Sequence, residues 1–180
     1  MSTLKYKEVQ VGFSEVPEEV ALCINISGCP LRCGGCHSKH LWEDDGDELN
    51  TSALSDLIAK NDGITCVAFM GGDKSPKDVE ALAEWVKENT SLKTCWYSGR
   101  TLIDNVIDYK NWDFVKTGPY RRDLGGLDSP KTNQRMYKVI PTHIEGINCY
   151  LLADMTYKFQ ENVKYKILEN ETDNKSEGTE

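Results

Sequence analysis

The sequence predicts an α/β protein with a mostly parallel sheet, either open or closed into a partial barrel. Short β-branched apolar runs alternate with stretches of helical periodicity, as in βα units. Glycine- or cysteine-rich breaks follow several of these runs, where loops at the carboxyl ends of strands would lie. With no internal repeat and no linker, we predict one domain over residues 1–168. The acidic stretch 169–180 has no apolar side chain and is expected to be a disordered tail.

The strands are predicted from apolar or alternating runs bounded by Gly, Pro, Asn or Ser. Residues 6–13 alternate weakly and predict an extended edge segment. The runs that predict strands within the sheet are 20–26, 64–70, 92–97, 112–116, 136–140 and 148–152. The Gly-rich stretch 121–132 lacks periodicity and is predicted to be a loop.

The helices are predicted from apolar residues at spacings of three and four. One helix is expected to be capped by Thr51 and to stop at Gly63, and a second to open with Pro76 at its first position. Shorter helical segments are expected at 38–42, 101–109 and 156–160.

Composition and charge exclude several classes of protein. An apolar fraction of 39% and a charged fraction of 28% fit a globular domain, and no run is long enough to span a membrane. A net charge of −8 argues against a nucleic-acid binder. The first residues lack the apolar core of a secretory signal, and seven cysteines are an odd number. We therefore expect reduced thiols and a cytoplasmic location rather than a disulfide framework.

A cluster of cysteines follows the predicted strand 20–26. Cys29, Cys33 and Cys36 fall within eight residues, a density typical of a metal or cluster site. A structural zinc site normally has four protein ligands, whereas three cysteines on a four-iron cluster leave one iron open. Spacing and context favour an iron–sulfur cluster. A zinc knuckle completed by His37 or His40 is the alternative.

A second glycine motif follows the next predicted strand, 64–70. Gly71 and Gly72 would expose backbone groups to a ligand, and Asp73 could bind an ammonium or a hydroxyl group. Alone, this motif is more often only a turn. Because parallel strands present their carboxyl ends at one edge, we expect it to lie beside the cysteine loop.

The remaining cysteines and the tryptophans have simpler interpretations. Cys23, Cys66 and Cys95 lie inside predicted strands and are expected to be small buried hydrophobes, and Cys149 has no informative neighbour. Trp42 is close enough to the cysteine loop to shield it from water. No catalytic triad, paired catalytic carboxylates or phosphate-binding loop is present.

The cysteine spacing, followed by Gly-Gly-Asp, resembles the radical S-adenosylmethionine superfamily. Within it, the chain resembles the activating component of anaerobic (class III) ribonucleoside-triphosphate reductase, which has Gly before the third cysteine and a Trp soon after it. The matching segments are 28–42 (GCPLRCGGCHSKHLW), 69–73 (FMGGD), 96–100 (WYSGR), 115–120 (VKTGPY) and 132–137 (TNQRMY). The resemblance covers roughly residues 20–140. Family members often have an acidic residue at the position of Thr117 and a basic one at that of Pro119, and Asp73 lacks the usual following Pro.

The resemblance implies a partial (β/α) barrel of the radical S-adenosylmethionine type and a [4Fe-4S] cluster. Cys29, Cys33 and Cys36 would hold the cluster, and S-adenosylmethionine would chelate its open iron. The residues implied to bind S-adenosylmethionine are Gly35, Cys36, His37, Gly71, Gly72 and Asp73. No further catalytic side chain is implied.

The implied reaction begins with reductive cleavage of S-adenosylmethionine. The resulting 5′-deoxyadenosyl radical would take a hydrogen atom from a glycine of the large reductase subunit. A reduced flavodoxin or ferredoxin-type protein would donate the electron, and neither nucleic acid nor a membrane would be a partner.

Two alternatives remain open. One is another small radical enzyme, either 7-carboxy-7-deazaguanine synthase-like or a different glycyl-radical activase. We expect little chain after the sheet to form a lid over a free substrate, which favours a protein substrate. The other is a non-catalytic zinc-binding module.

Overall fold

An eight-stranded mixed sheet forms the centre of the computed structural model, which describes residues 4–103, 106–144 and 146–160. The strands are β1 (Lys5–Gly12), β2 (Ala21–Ile26), β3 (Asp47–Glu48), β4 (Cys66–Met70), β5 (Lys93–Tyr97), β6 (Phe114–Thr117), β7 (Arg135–Ile144) and β8 (Ile147–Asp154). The α-helices are α1 (Thr51–Ala59) and α2 (Pro76–Asn89), and short 3₁₀ helices cover Lys39–Leu41 and Tyr109–Asn111. The strand order is β3-β1-β2-β4-β5-β6-β7-β8.

The prediction of a mostly parallel sheet is wrong. Only β2, β4, β5 and β6 run parallel to one another, and the other four pairings are antiparallel. The crossovers that contain α1, α2 and the 3₁₀ helix Tyr109–Asn111 produce the parallel centre, whereas β1, β3, β7 and β8 pair antiparallel at its two sides. The protein is thus α/β with few helices, and this sheet does not by itself identify the partial barrel that the resemblance implies.

Local chemistry explains where the helices begin. Asn50, not Thr51, caps α1, because its side-chain Oδ1 accepts from the Ala53 N–H at 3.0 Å. Pro76 occupies the first turn of α2, as predicted, where its missing N–H costs no hydrogen bond.

Two predicted segments depend in part on residues outside the described ranges. In the predicted helix 101–109, residues 104 and 105 lie outside them, and the described residues on either side form turns that lead into the 3₁₀ helix Tyr109–Asn111. Residues 157–160 are helical, as expected for 156–160. The predicted tail 169–180 lies outside the described residues.

The sheet buries two different apolar faces. The helix-covered face carries large side chains such as Ile24, Phe69 and Trp96, packed against the apolar stripe of α2. The opposite face carries the predicted buried cysteines Cys23, Cys66 and Cys95, together with larger side chains such as Phe114 and Met136.

The β7–β8 hairpin extends beyond the rest of the sheet. β6 pairs with β7 up to Lys138, and the Val139 N–H still donates to the Asp113 carbonyl. From Ile140 onward the paired residues of β7 face β8. Exposed apolar side chains such as Ile144, Ile147 and Leu151 lie on this extension. Within the described residues, no helix is both long and apolar enough to cross a membrane.

Candidate functional site

A cavity of about 210 Å³ lies at the carboxyl edge of the four parallel strands. The cysteine loop after β2, residues 71 and 73 after β4, residues 98 and 99 after β5, and residues 118 and 120 after β6 contribute to its wall. The prediction that the cysteine loop and the Gly-Gly-Asp motif share one edge is therefore confirmed. Four consecutive strand ends meet there because β2, β4, β5 and β6 run parallel.

All three cysteines of the loop line this cavity. Cys29, Cys33 and Cys36 are half-buried free thiols, and burial raises the pKa of Cys29. In the part of the chain that the structure describes, no three His, Cys, Asp or Glu side chains are grouped so as to hold one metal ion. The thiols are distributed around a shared cavity.

Backbone hydrogen bonds close the cysteine loop onto the segment that follows it. The N–H of Gly28 donates to the Glu43 carbonyl and that of Cys29 to the Leu41 carbonyl, each at 3.0 Å. Between the first two cysteines, Arg32 has a φ of 44°, a left-handed conformation that is uncommon for a residue with a side chain. Such strain persists only where the surrounding structure imposes it, and this residue lies between two cysteines that line the cavity.

Trp42 lines the cavity at the end of this closed segment. Its indole Nε1 is buried without a hydrogen-bond partner among the described residues. The Arg32 guanidinium and the Lys39 ammonium lie 6.0 and 5.9 Å from its ring centroid. Trp42 thus covers part of the cavity wall, as expected from its position.

Asp73 lies in the wall, but its carboxylate already has partners within the chain. Oδ1 accepts from Ser98 Oγ at 2.6 Å and Oδ2 from the Gly99 N–H at 3.0 Å. The Arg100 guanidinium lies 3.5 Å from Oδ1 and also donates to the Asp73 carbonyl at 2.8 Å. The side chain is 2% exposed, so Asp73 joins the loops after β4 and β5.

The two glycines before Asp73 serve different purposes. Gly72 has a φ of 84°, and a Cβ there would lie 2.4 Å from Val79 Cγ2, so the missing side chain makes room for α2. Gly71 has a φ of 104° and lines the cavity, while its carbonyl accepts from the Trp96 Nε1–H at 2.7 Å. Only Gly71 of this pair lines the cavity.

Gly35 and His37 lie beside the main cavity rather than in its wall. A second cavity of about 360 Å³ is lined by His37 and shares Cys36 with the first. The His37 ring is exposed and lies 5.2 Å from the Tyr120 ring, centroid to centroid. Gly35 has a φ of 81°, and a Cβ there would lie 3.0 Å from Nε of Arg122. The structure therefore does not bring all the predicted ligand-binding residues into one cavity.

The sequence analysis missed a buried lysine. Lys116 on β6 is only 7% exposed and lines both cavities. Its Nζ donates to the Gly118 carbonyl at 2.8 Å, and Nε2 of Gln134 donates to the same oxygen at 3.3 Å. Burial lowers the pKa of Lys116 to about 8, against the opposing effect of nearby Asp73. The sequence signal was a lysine directly after two apolar residues in the run 112–116, which predicts a strand within the sheet, where lysine is rare.

The donor set fits an iron–sulfur cluster. Cysteine thiolates are the usual ligands of [4Fe-4S] clusters, and the structure turns three of them toward one cavity. Beyond them, the cavity has room for a ligand next to Gly71, Lys116 and Trp42.

Comparison with known proteins gives one match. The sequence profile of a family described as "4Fe-4S single cluster domain" matches residues 18–136, about two thirds of the chain. The matched range contains the cysteine loop, residues 71–73 and Lys116. No curated protein and no solved structure matches the chain.

Proposed function

Because the chain belongs to the 4Fe-4S single cluster domain family, we propose that it is a radical S-adenosylmethionine enzyme that activates anaerobic ribonucleoside-triphosphate reductase. One observation carries this proposal: three thiols, not four, line a cavity that continues past them along the carboxyl edge of the sheet. A three-cysteine cluster keeps one iron available to a second molecule. The cavity beside it offers space for that molecule.

The three cysteines, Asp73 and Trp42 have different roles in this proposal. Cys29, Cys33 and Cys36 would hold a [4Fe-4S] cluster. With S-adenosylmethionine bound, such a cluster supplies one-electron cleavage of the sulfonium to methionine and a 5′-deoxyadenosyl radical. Asp73 positions the loops after β4 and β5, and Trp42 covers the wall and limits access by water.

The proposed partners follow from this chemistry. A reduced flavodoxin or ferredoxin-type protein would supply the electron. A glycine Cα of the large reductase subunit would lose the hydrogen atom, which converts the 5′-deoxyadenosyl radical to 5′-deoxyadenosine. The profile match leaves the substrate open, so the identity of the protein that loses the hydrogen atom is part of the proposal.

The first experiment is anaerobic purification with iron, sulfide and zinc analysis. We expect a brown protein with about four irons per chain. A colourless protein with one zinc would refute the proposal in favour of a zinc module. The Cys33→Ser variant should lose the cluster and S-adenosylmethionine cleavage. Cys149→Ser is the matched control, because Cys149 is also half-buried but lies on β8, outside the cavity wall.

The second experiment tests the partner. The reconstituted protein is incubated with reductase, S-adenosylmethionine and dithionite, and a glycyl-radical doublet is sought by electron paramagnetic resonance. We expect the doublet and one 5′-deoxyadenosine per radical formed. Cleavage of S-adenosylmethionine without a doublet would contradict the activase assignment and point to a small-molecule radical enzyme.

A further inference from the structure

Lys116 is the buried cation in the wall of the cavity. It lies on the same face of the sheet as Tyr97 and Met136, its register partners on β5 and β7. The strand fixes its backbone on both sides, and the side chain is 7% exposed. An ammonium group in such a position is costly unless a partner compensates its charge.

The surrounding residues compensate Lys116 only in part. An ammonium has three N–H donors, and the structure gives Nζ one acceptor, the Gly118 carbonyl at 2.8 Å. Asp73, which together with Cys33 and Cys36 attracts the Lys116 ammonium electrostatically, already pairs with Arg100. Its carboxylate also accepts from Ser98 and Gly99. Among the described residues, no carboxylate lies within ion-pair distance of Lys116.

Two polar side chains beside Lys116 use their donors within the chain. The Tyr97 hydroxyl donates to the Glu15 carbonyl, and the Gln134 amide donates to the Gly118 carbonyl. Lys116 itself has one acceptor for three N–H donors, so a ligand that fills this cavity should present an anionic, acceptor-rich group toward it.

We propose that Lys116 binds the α-carboxylate of S-adenosylmethionine. This assignment depends on the function proposed above, in which S-adenosylmethionine occupies the cavity; its α-carboxylate is its only anionic group. The ammonium of Lys116 donates to a carboxylate oxygen while it keeps its hydrogen bond to Gly118. Lys116 is thus a binding residue that orients the aminoacyl end of the ligand.

The experiment measures equilibrium binding of two ligands to the anaerobically reconstituted protein. The ligands are S-adenosylmethionine and its decarboxylated analogue, which lacks only the carboxylate. Lys116→Met should weaken binding of S-adenosylmethionine by about 10- to 100-fold, the range for a charge-assisted hydrogen bond. Binding of the decarboxylated analogue should change by less than about twofold, since it has no group for Lys116 to bind.

Two further variants complete the design. Lys116→Arg keeps a cation and should recover most of the affinity for S-adenosylmethionine. Lys138→Met, an exposed lysine on the neighbouring strand β7, is the matched control and should leave both affinities unchanged. Iron content and circular dichroism of each variant report whether the cluster and the fold are retained.

The outcomes separate this inference from the function on which it depends. If the wild-type protein holds four irons but binds no S-adenosylmethionine, the proposed function fails. If it binds S-adenosylmethionine and Lys116→Met binds it equally well, or weakens both ligands equally, the carboxylate assignment fails while the function stands. Loss of iron in Lys116→Met would show that the lysine is needed to retain the cluster, and would also overturn the carboxylate assignment.

Discussion

Asp73 offers the sharpest test of how the site is held together. If its carboxylate joins two loops, Asp73→Ala should destabilise the protein whether or not a ligand is bound. Its two hydrogen bonds, from Ser98 at 2.6 Å and from Gly99 at 3.0 Å, involve a charged acceptor. Each such bond contributes about 1.5–3 kcal/mol. The Arg100 side chain is 38% exposed, so solvent screens its ion pair with Asp73, and we assign that pair little of the stability.

The expected loss is about 3–5 kcal/mol in the free energy of unfolding, the range for removing one partner from a buried charged network. For a chain of this size that corresponds to a fall in Tm of roughly 6–20 °C. Urea unfolding of the cluster-free protein, monitored by circular dichroism, measures the change in the free energy of unfolding. Ser98→Ala removes one of the two bonds and should cost about 1.5–3 kcal/mol. It remains informative if Asp73→Ala does not fold.

The matched control is Asp44→Ala. Like Asp73, Asp44 pairs with a cationic side chain, that of Lys74, but both of these side chains are more than 40% exposed. Loss of the Asp44 carboxylate should therefore cost less than about 1 kcal/mol of stability. The reasoning would be refuted if Asp73→Ala were as stable as Asp44→Ala and yet lost affinity for S-adenosylmethionine. Asp73 would then be a ligand contact rather than a link between loops.

Two other predictions concern the glycines and the buried thiols. Gly72→Ala should destabilise the protein by about 1–3 kcal/mol more than Gly63→Ala in urea unfolding; both have a positive φ, but only at Gly72 would a Cβ overlap a neighbour, Val79. Equal losses would contradict the packing argument. Iodoacetamide at pH 8 should leave Cys23 and Cys95 of the native cluster-free protein unmodified, because burial raises the pKa of both thiols, to about 12 for Cys23. Peptide mass spectrometry measures the modification, and rapid labelling of either residue in folded protein would contradict the structure.

The sequence predicted the arrangement of the site better than the sheet around it. Local sequence signals indicate which segments become strands. Parallel strands joined by crossovers end at the same edge of the sheet, so the cysteine loop and residues 71–73 could be placed together. Strand direction at the sheet margins depends on long-range pairing. Nothing in the runs 6–13 or 136–140 indicates that β1 and β7 pair antiparallel to their neighbours.

The roles of individual polar residues were harder to predict. Asp73 follows two glycines at a strand end, a pattern that equally suits a ligand contact and an internal link. The choice depends on Ser98 and Gly99, which are distant in sequence and meet Asp73 only in the fold. The N-cap raised a similar difficulty, since Asn50 and Thr51 both suit that position and only the backbone geometry selects Asn50.

Asp73 and Lys116 together explain why the cavity is suited to an anionic group. A direct ion pair between Asp73 and Lys116 would leave the lysine with less need of an anionic ligand. Instead Ser98, Gly99 and Arg100 occupy the carboxylate. The same bonds fix the loops after β4 and β5 without a ligand, so the cavity is preorganised and binding need not order it. The link through Asp73 therefore leaves Lys116 available to bind the ligand.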